Sequence, residues 1–213
     1  MKELRPTHKS YPKNLLGLRE PPERLYISGS ILARDRKAIA IVGSRNMTAY
    51  GRETAYKFSF YLAKQGGVTI VSGLARGVDT VAHKAALDAG GRTIAVLGHG
   101  LARVYPPENK ALATRIVKSG ALVTEYEQGV SPFGKNFLAR NRIISGLSRA
   151  VLVVEGAKRS GTLSIAGWAA EQGREVFAIP GRVDSPLSFL PNYLIENGAQ
   201  IASTPQALLD SIL

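Results

Sequence analysis

Ala38-Ile39-Ala40-Ile41-Val42-Gly43-Ser44-Arg45-Asn46 is the stretch on which the reading of the fold turns. Its first five residues are all apolar, which suits a strand covered on both faces, as in a buried parallel sheet. Glycine, serine and arginine follow, and then a segment of helical length from about Thr48. In that segment Ala55, Phe58, Leu62 and Ala63 share one side of a 3.6-residue repeat. The alternation recurs: residues 68–71, 93–97, 121–124, 150–154 and 176–179 are further short apolar runs with helix-length segments between them. One of those segments offers Leu163, Ala166, Gly167 and Ala170 as its apolar face. Several segments stop at glycines suited to a helix C-terminus, at Gly66-Gly67, Gly90-Gly91, Gly120 and Gly173. Strand and helix in turn predict an α/β, doubly wound, Rossmann-like domain whose mostly parallel sheet is flanked by helices. One more short helix is expected over 205–213.

Residues 1–37 break this pattern, with Pro6, Pro12, Pro21 and Pro22 punctuating them. They read as an irregular N-terminal arm packed on the core, Leu25-Tyr26-Ile27 being a candidate strand, and 38–213 as a single domain. Cysteine is absent, which excludes a disulfide framework and a thiol nucleophile. His8, His83 and His99 are too scattered for a zinc set. No apolar run reaches the roughly 18 residues that cross a bilayer, and Met1-Lys2-Glu3-Leu4-Arg5-Pro6 has no apolar signal core. A cytoplasmic protein without membrane contact is expected. Lysine and arginine outnumber acids 28 to 16, a net charge of +12. That favours a polyanionic partner, although a basic solvated surface would account for the charge as well. Placement has to decide.

In open parallel sheets ligands bind beyond the carboxyl ends of the strands. The first strand ends in Ser44 and Arg45 at a helix entrance, where free N–H groups attract anions. The second ends in Ser72-Gly73-Leu74-Ala75-Arg76-Gly77-Val78-Asp79, offering Gly73 and Arg76, with Asp79 read as a cap or first-turn acid. Beyond the fourth come Lys135, Phe137, Arg140, Asn141 and Arg142, an aromatic with cations suited to a base beside its phosphates. Phe137 reads equally as core. The fifth ends in Arg159, Ser160, Gly161 and Thr162. Gly156 and Gly161 have Walker A spacing, but Thr162-Leu163 stands where Lys-Ser/Thr is required. No Gly-x-Gly-x-x-Gly follows the first strand, so no cofactor is expected. Phosphate-binding groups at four strand ends suit a chain of nucleotides, and single-stranded DNA is the expected ligand.

These motifs resemble the DNA processing protein A family (DprA, also called Smf). The resemblance runs from Tyr11-Pro12 to Gly198-Ala199. Its specific parts include Gly43-Ser44-Arg45, the segment from Ser72 to Asp79, Phe137-Leu138-Ala139-Arg140-Asn141-Arg142, Arg159-Ser160-Gly161-Thr162-Leu163 and Ile179-Pro180-Gly181. It implies a Rossmann-like domain that binds single-stranded DNA without consuming it, dimerises, and helps load a RecA-type recombinase onto incoming DNA in natural transformation. By resemblance Arg45 and Arg159 hold phosphates, Gly73 lets the strand approach and Phe137 contacts a base. Two departures stand out. Leu190 occupies a usual glycine position, and the chain carries neither the helical nor the winged-helix flank of many relatives, as an excised core or a minimal member would. The competing reading is a nucleotide phosphoribohydrolase, whose Gly-Thr-x-x-Glu would need an acid where Ile165 stands, and an aliphatic residue cannot transfer a proton. Glu125, Glu155 and Asp79 are the remaining strand-end carboxylates. A third reading is a sensor of one small nucleotide.

Overall fold

Each apolar run is a strand or overlaps one. The structure is a computed structural model that describes residues 1–212. Its first half runs β1 (Lys2–Leu4), β2 (Leu25–Gly29), β3 (Ile39–Val42), α1 (Ala49–Gln65), β4 (Ile70–Ser72), α2 (Val78–Asp88), β5 (Thr93–Val96) and α3 (Lys110–Ser119). The second half runs β6 (Gly120–Thr124), α4 (Gly134–Gly146), β7 (Ala150–Val153), α5 (Thr162–Glu171), β8 (Glu175–Ala178), α6 (Phe189–Glu196), β9 (Gln200–Ile201) and α7 (Pro205–Ile212). The end of the expected last helix, Leu213, lies outside the described residues. No helix among these is long and apolar enough to cross a membrane.

The strands form one sheet in the order β1-β2-β6-β5-β4-β3-β7-β8-β9. From β6 to β9 the ladders are parallel, with Ala40 opposite Val151 and Ile94 opposite Ala121. Only β2 against β6 and β1 against β2 are antiparallel. The arm therefore extends the sheet as well as packing on it. Every residue of β3, β5 and β7 is buried, so strict alternation would have been the wrong signature. Alternate side chains serve two cores. Ala40, Val42, Val96, Val151 and Val153 meet Ile143 and Ile144 of α4, Leu147 just after it, Ile165 and Ala169 of α5, and Tyr11, Leu15 and Leu18 of the arm. Ile39, Ile41, Ile70 and Leu152 meet Phe58 and Leu62 of α1, Ala82 of α2 and Leu208 of α7.

The expected face of α1 is the buried one, but that of α5 is not. Thr162, Ile165, Ala166 and Ala169 are buried there, leaving Leu163 40% exposed. Gly67, Gly90 and Gly173 follow helices at positive φ as a C-terminal stop requires. Gly120 does not: its φ of 177° is extended, and it opens β6 directly. The turn at Leu190 is secure, because its buried side chain packs where a Cβ on Gly156 would lie 2.7 Å from Leu190 Cδ2, and Leu190 N donates to Gly156 O at 2.8 Å.

Chain direction creates the site. From β3 the chain moves outward through β4 and β5 to β6, and α4 then returns it to β7 on the other side of β3. The helices after β3 and β7 go to opposite faces, so the loops that lead into them part. A crevice at such a switch point is where doubly wound sheets bind ligands.

One buried group ties this fold to pH. Thr93 Oγ1 donates to Ile70 O at 2.7 Å and so accepts from His83 Nδ1 at 2.6 Å, leaving the ring's Nε2 without a partner among the described residues. Burial pushes the imidazole down to about 3. The unfolded chain takes up a proton below about 6.5 that the folded chain refuses. Unfolding free energy should therefore fall by up to about 1.4 kcal/mol per pH unit from this residue as pH drops from about 6.5 toward 3. Urea titrations across that window should show a shallower decline for His83→Gln, and an identical slope would rule His83 out as the source.

Candidate nucleic-acid interface

Three segments supply most of the lining of the crevice, a cleft of about 430 Å³ to which Ala75, Asp79 and Leu187 also contribute. The turn after β3 brings Ser44, Arg45 and Asn46, the first half of α4 brings Phe137, Leu138, Arg140 and Asn141, and the turn into α5 brings Arg159, Ser160, Gly161 and Thr162. A small recess of about 20 Å³ adjoins it, sharing Arg45, Ala75, Phe137 and Arg140 and adding Gly73, Arg76, Tyr105 and Pro106. Most of the residues singled out in the sequence thus share one rim.

Local hydrogen bonds shape these turns. Ser44 Oγ accepts from Asn46 N, and Ser160 Oγ accepts from Thr162 N, each at 3.1 Å. Thr48 caps α1 by accepting from Gly51 N at 3.1 Å, and Glu155 in turn accepts from Thr48 N at 2.9 Å. Gly77 sits at φ 73° with a Cβ position filled by the Ser44 and Arg45 backbone, so only glycine lets the turns after β3 and β4 approach this closely. Leu74 adopts φ 58°, a conformation that costs a side-chain-bearing residue about 1–2 kcal/mol. It is held there by complete burial and by Asn109 Nδ2 donating to Leu74 O at 2.9 Å.

Phe137 is half-buried, with the guanidinium carbons of Arg45 at 5.8 Å and Arg140 at 6.0 Å from its centroid. It is therefore neither a core phenylalanine nor a free one. Tyr105 packs beside it, centroids 5.8 Å apart and planes tilted by 32°. Arg140 is buried. Its Nη1 donates to Gly73 O at 2.9 Å and to Val96 O. Burial pushes it down to about 10, so it keeps its charge at neutral pH. Asp79 is the first-turn acid of α2, whose N-cap is Gly77, and its Oδ2 accepts from Gly73 N at 3.1 Å and Ala75 N at 3.3 Å, ordering the turn after β4. Burial pushes its carboxyl up against the opposing pull of Arg140.

Five expectations change. Gly73 does not leave room for a strand, because a Cβ there would lie 2.6 Å from the Arg140 guanidinium, which fills the space. Arg142 is not on the rim. It forms a two-pronged pair with Glu125 at 2.6 Å for each bond and donates to Glu20 O at 2.9 Å. Helical geometry explains this, since five residues of α4 rotate Arg142 well away from Phe137, whereas Arg140 and Asn141, at three and four, share its side. Lys135 is exposed over Phe133, its Nζ 5.8 Å from that ring. Arg76 reaches the recess but is paired with Glu108. Asn141 lines the cleft mainly as a brace, donating to Gly161 O at 3.3 Å. Tyr105 was not among the expected residues, although the turn after β5 carries Gly98, Gly100 and Arg103 as other strand ends carry glycine and arginine. Its signal was an aromatic within such a turn. The three strand-end carboxylates are engaged structurally, Asp79 with amides, Glu125 with Arg142 and Glu155 with Thr48.

The family model for DNA recombination-mediator protein A matches residues 2–213. The protein Smf of Escherichia coli K12 is 47% identical over 203 residues, covering 95% of this chain and 54% of that one. This chain spans about half the length of that protein and of the protein Smf of Synechocystis sp. PCC 6803, which is 43% identical over 213 residues. Among solved structures, DNA processing protein A of Streptococcus pneumoniae superposes with a TM-score of 0.94 at 39% identity, covering all of this chain and 74% of that one. The Helicobacter pylori protein, described by its single-stranded DNA binding mode, superposes with a TM-score of 0.86 at 31% identity, covering 99% and 95%.

The glycines of the rim make different predictions. Gly73→Ala should lower unfolding free energy by about 1–3 kcal/mol by displacing Arg140. Gly161→Ala, where a Cβ meets only Leu138 at 3.8 Å, should stay within about 0.5 kcal/mol of the parent in urea denaturation.

Proposed function

The chain belongs to the DNA recombination-mediator protein A family, and on that premise we propose that its rim binds single-stranded DNA without cleaving it. The convergence of Arg45, Phe137, Arg140 and the 159–162 turn around one cleft carries the reading. Arg45 and Arg159 neutralise phosphates, the N–H groups at the start of α5 receive another, and Phe137 offers a base its ring. Binding is non-covalent. The engaged carboxylates support this, as each already holds a turn, a helix entrance or a buried arginine. The net charge of +12 supports a polyanion, and the binding mode described for the Helicobacter pylori relative supports a single strand. The finer reading is that a cytoplasmic homodimer passes the strand to a RecA-type recombinase during natural transformation. The family's description as a recombination mediator supports that step.

Fluorescence anisotropy with labelled oligo-dT across a salt series tests the reading. Oligo-dT should bind better than duplex of equal length, with a log–log salt slope of about −0.7 per neutralised phosphate. Arg45→Ala should weaken binding of all sequences alike and flatten that slope by about 0.7. Phe137→Ala should cost about 1–3 kcal/mol of binding while the protein stays folded. Saturation by one mononucleotide, with no gain in affinity for longer oligonucleotides, would favour a small-nucleotide sensor instead.

A further inference from the structure

Tyr105 lies at the far end of the segment that follows β5, a strand end without a proposed ligand contact. It is 39% exposed and is followed by two prolines, which restrict the backbone that presents it. With Arg45, Gly73, Arg76 and Phe137 it lines a small recess beside the cleft. Its centroid lies 5.8 Å from that of Phe137. A stacked strand rises only 3.4 Å per nucleotide, so neighbouring bases seated on these two rings must be drawn apart. A duplex cannot comply, because its base faces are covered by neighbours and its edges by the complementary strand. The charges beside Tyr105 agree with a base there. Arg76 is already paired with Glu108, and the carboxylate turns phosphates back toward Arg45 and Arg159.

We infer that Tyr105 is a second base platform, and that Tyr105 and Phe137 together select single-stranded over duplex DNA by holding two successive bases unstacked. This rests on the single-strand reading and names the residue that enforces it. The strand then passes the ends of β7, β3, β4 and β5 in that spatial order.

Binding of the full chain to oligo-dT and to a duplex of equal length, by anisotropy in one buffer, tests the inference. Tyr105→Ala should weaken oligo-dT binding about tenfold, within the range for losing one aromatic–base stack, and leave duplex binding unchanged, so the preference for single strands shrinks. Tyr105→Phe should keep the preference. Tyr105→Leu, which still covers the side of Phe137 but has no π face, should behave as alanine. Thermal melts identify any variant that has lost its fold, and the phenylalanine–leucine comparison then decides. Unchanged oligo-dT affinity in Tyr105→Ala, an equal loss for both ligands, or full rescue by leucine would overturn the platform role alone. Failure of the parent chain to bind oligo-dT would overturn the single-strand reading and this inference with it.

Discussion

Arg140 extends from α4 into the ends of β4 and β5, where Gly73 and Val96 present carbonyl oxygens and the missing side chain of Gly73 leaves room for a guanidinium. Several features of the site depend on that seat. The guanidinium ties the middle of α4 to the strand ends and lies 6.0 Å from the Phe137 centroid. Asp79 braces the same turn through the amides of Gly73 and Ala75. A charged group is normally costly to bury. Here the cost is offset by carbonyl acceptors and by the nearby carboxylate, and the charge stays beside the cleft. Pairing Arg140 fully with an acid would have kept the packing and cancelled the field that a phosphate meets.

The same economy runs through the neighbouring turns. Ser44 and Ser160 each accept the amide two residues ahead, so their hydroxyl oxygens shape the turns before any ligand arrives. Leu74 holds a left-handed conformation because its side chain is enclosed and its carbonyl is bonded to Asn109. Such groups keep the rim preorganised, and Arg45 and Arg159 stand exposed beside it. A fixed platform with exposed cations suits a ligand with flat base faces and a charged backbone.

Much of the fold was legible in the sequence because buried parallel strands leave a strong mark. Residues 38–42 and 150–154 could hardly be anything else once helices were seen between them. The strand order was not legible, since nothing in the apolar runs says that β7 lies beside β3. The α5 face was misjudged because Leu163, Gly167 and Ala170 imitate an apolar stripe, whereas Thr162, Ile165, Ala166 and Ala169 do the packing. At the site, arginine identity could not separate a rim cation from a structural one. The helical repeat of α4 separates Arg140 from Arg142, and Glu125 supplies the partner that withdraws Arg142. Tyr105 was invisible for the opposite reason, since a lone tyrosine has no motif and only its distance from Phe137 gives it meaning.

Photocrosslinking of an oligonucleotide carrying halogenated uracils, with the adducts mapped by mass spectrometry, tests the central claim most directly. The account places adducts on peptides containing Arg45, Tyr105, Phe137 and Thr162, all at the carboxyl edge of the sheet. Adducts confined to the opposite edge, on the basic cluster of Lys9, Lys13 and Arg36, would contradict it.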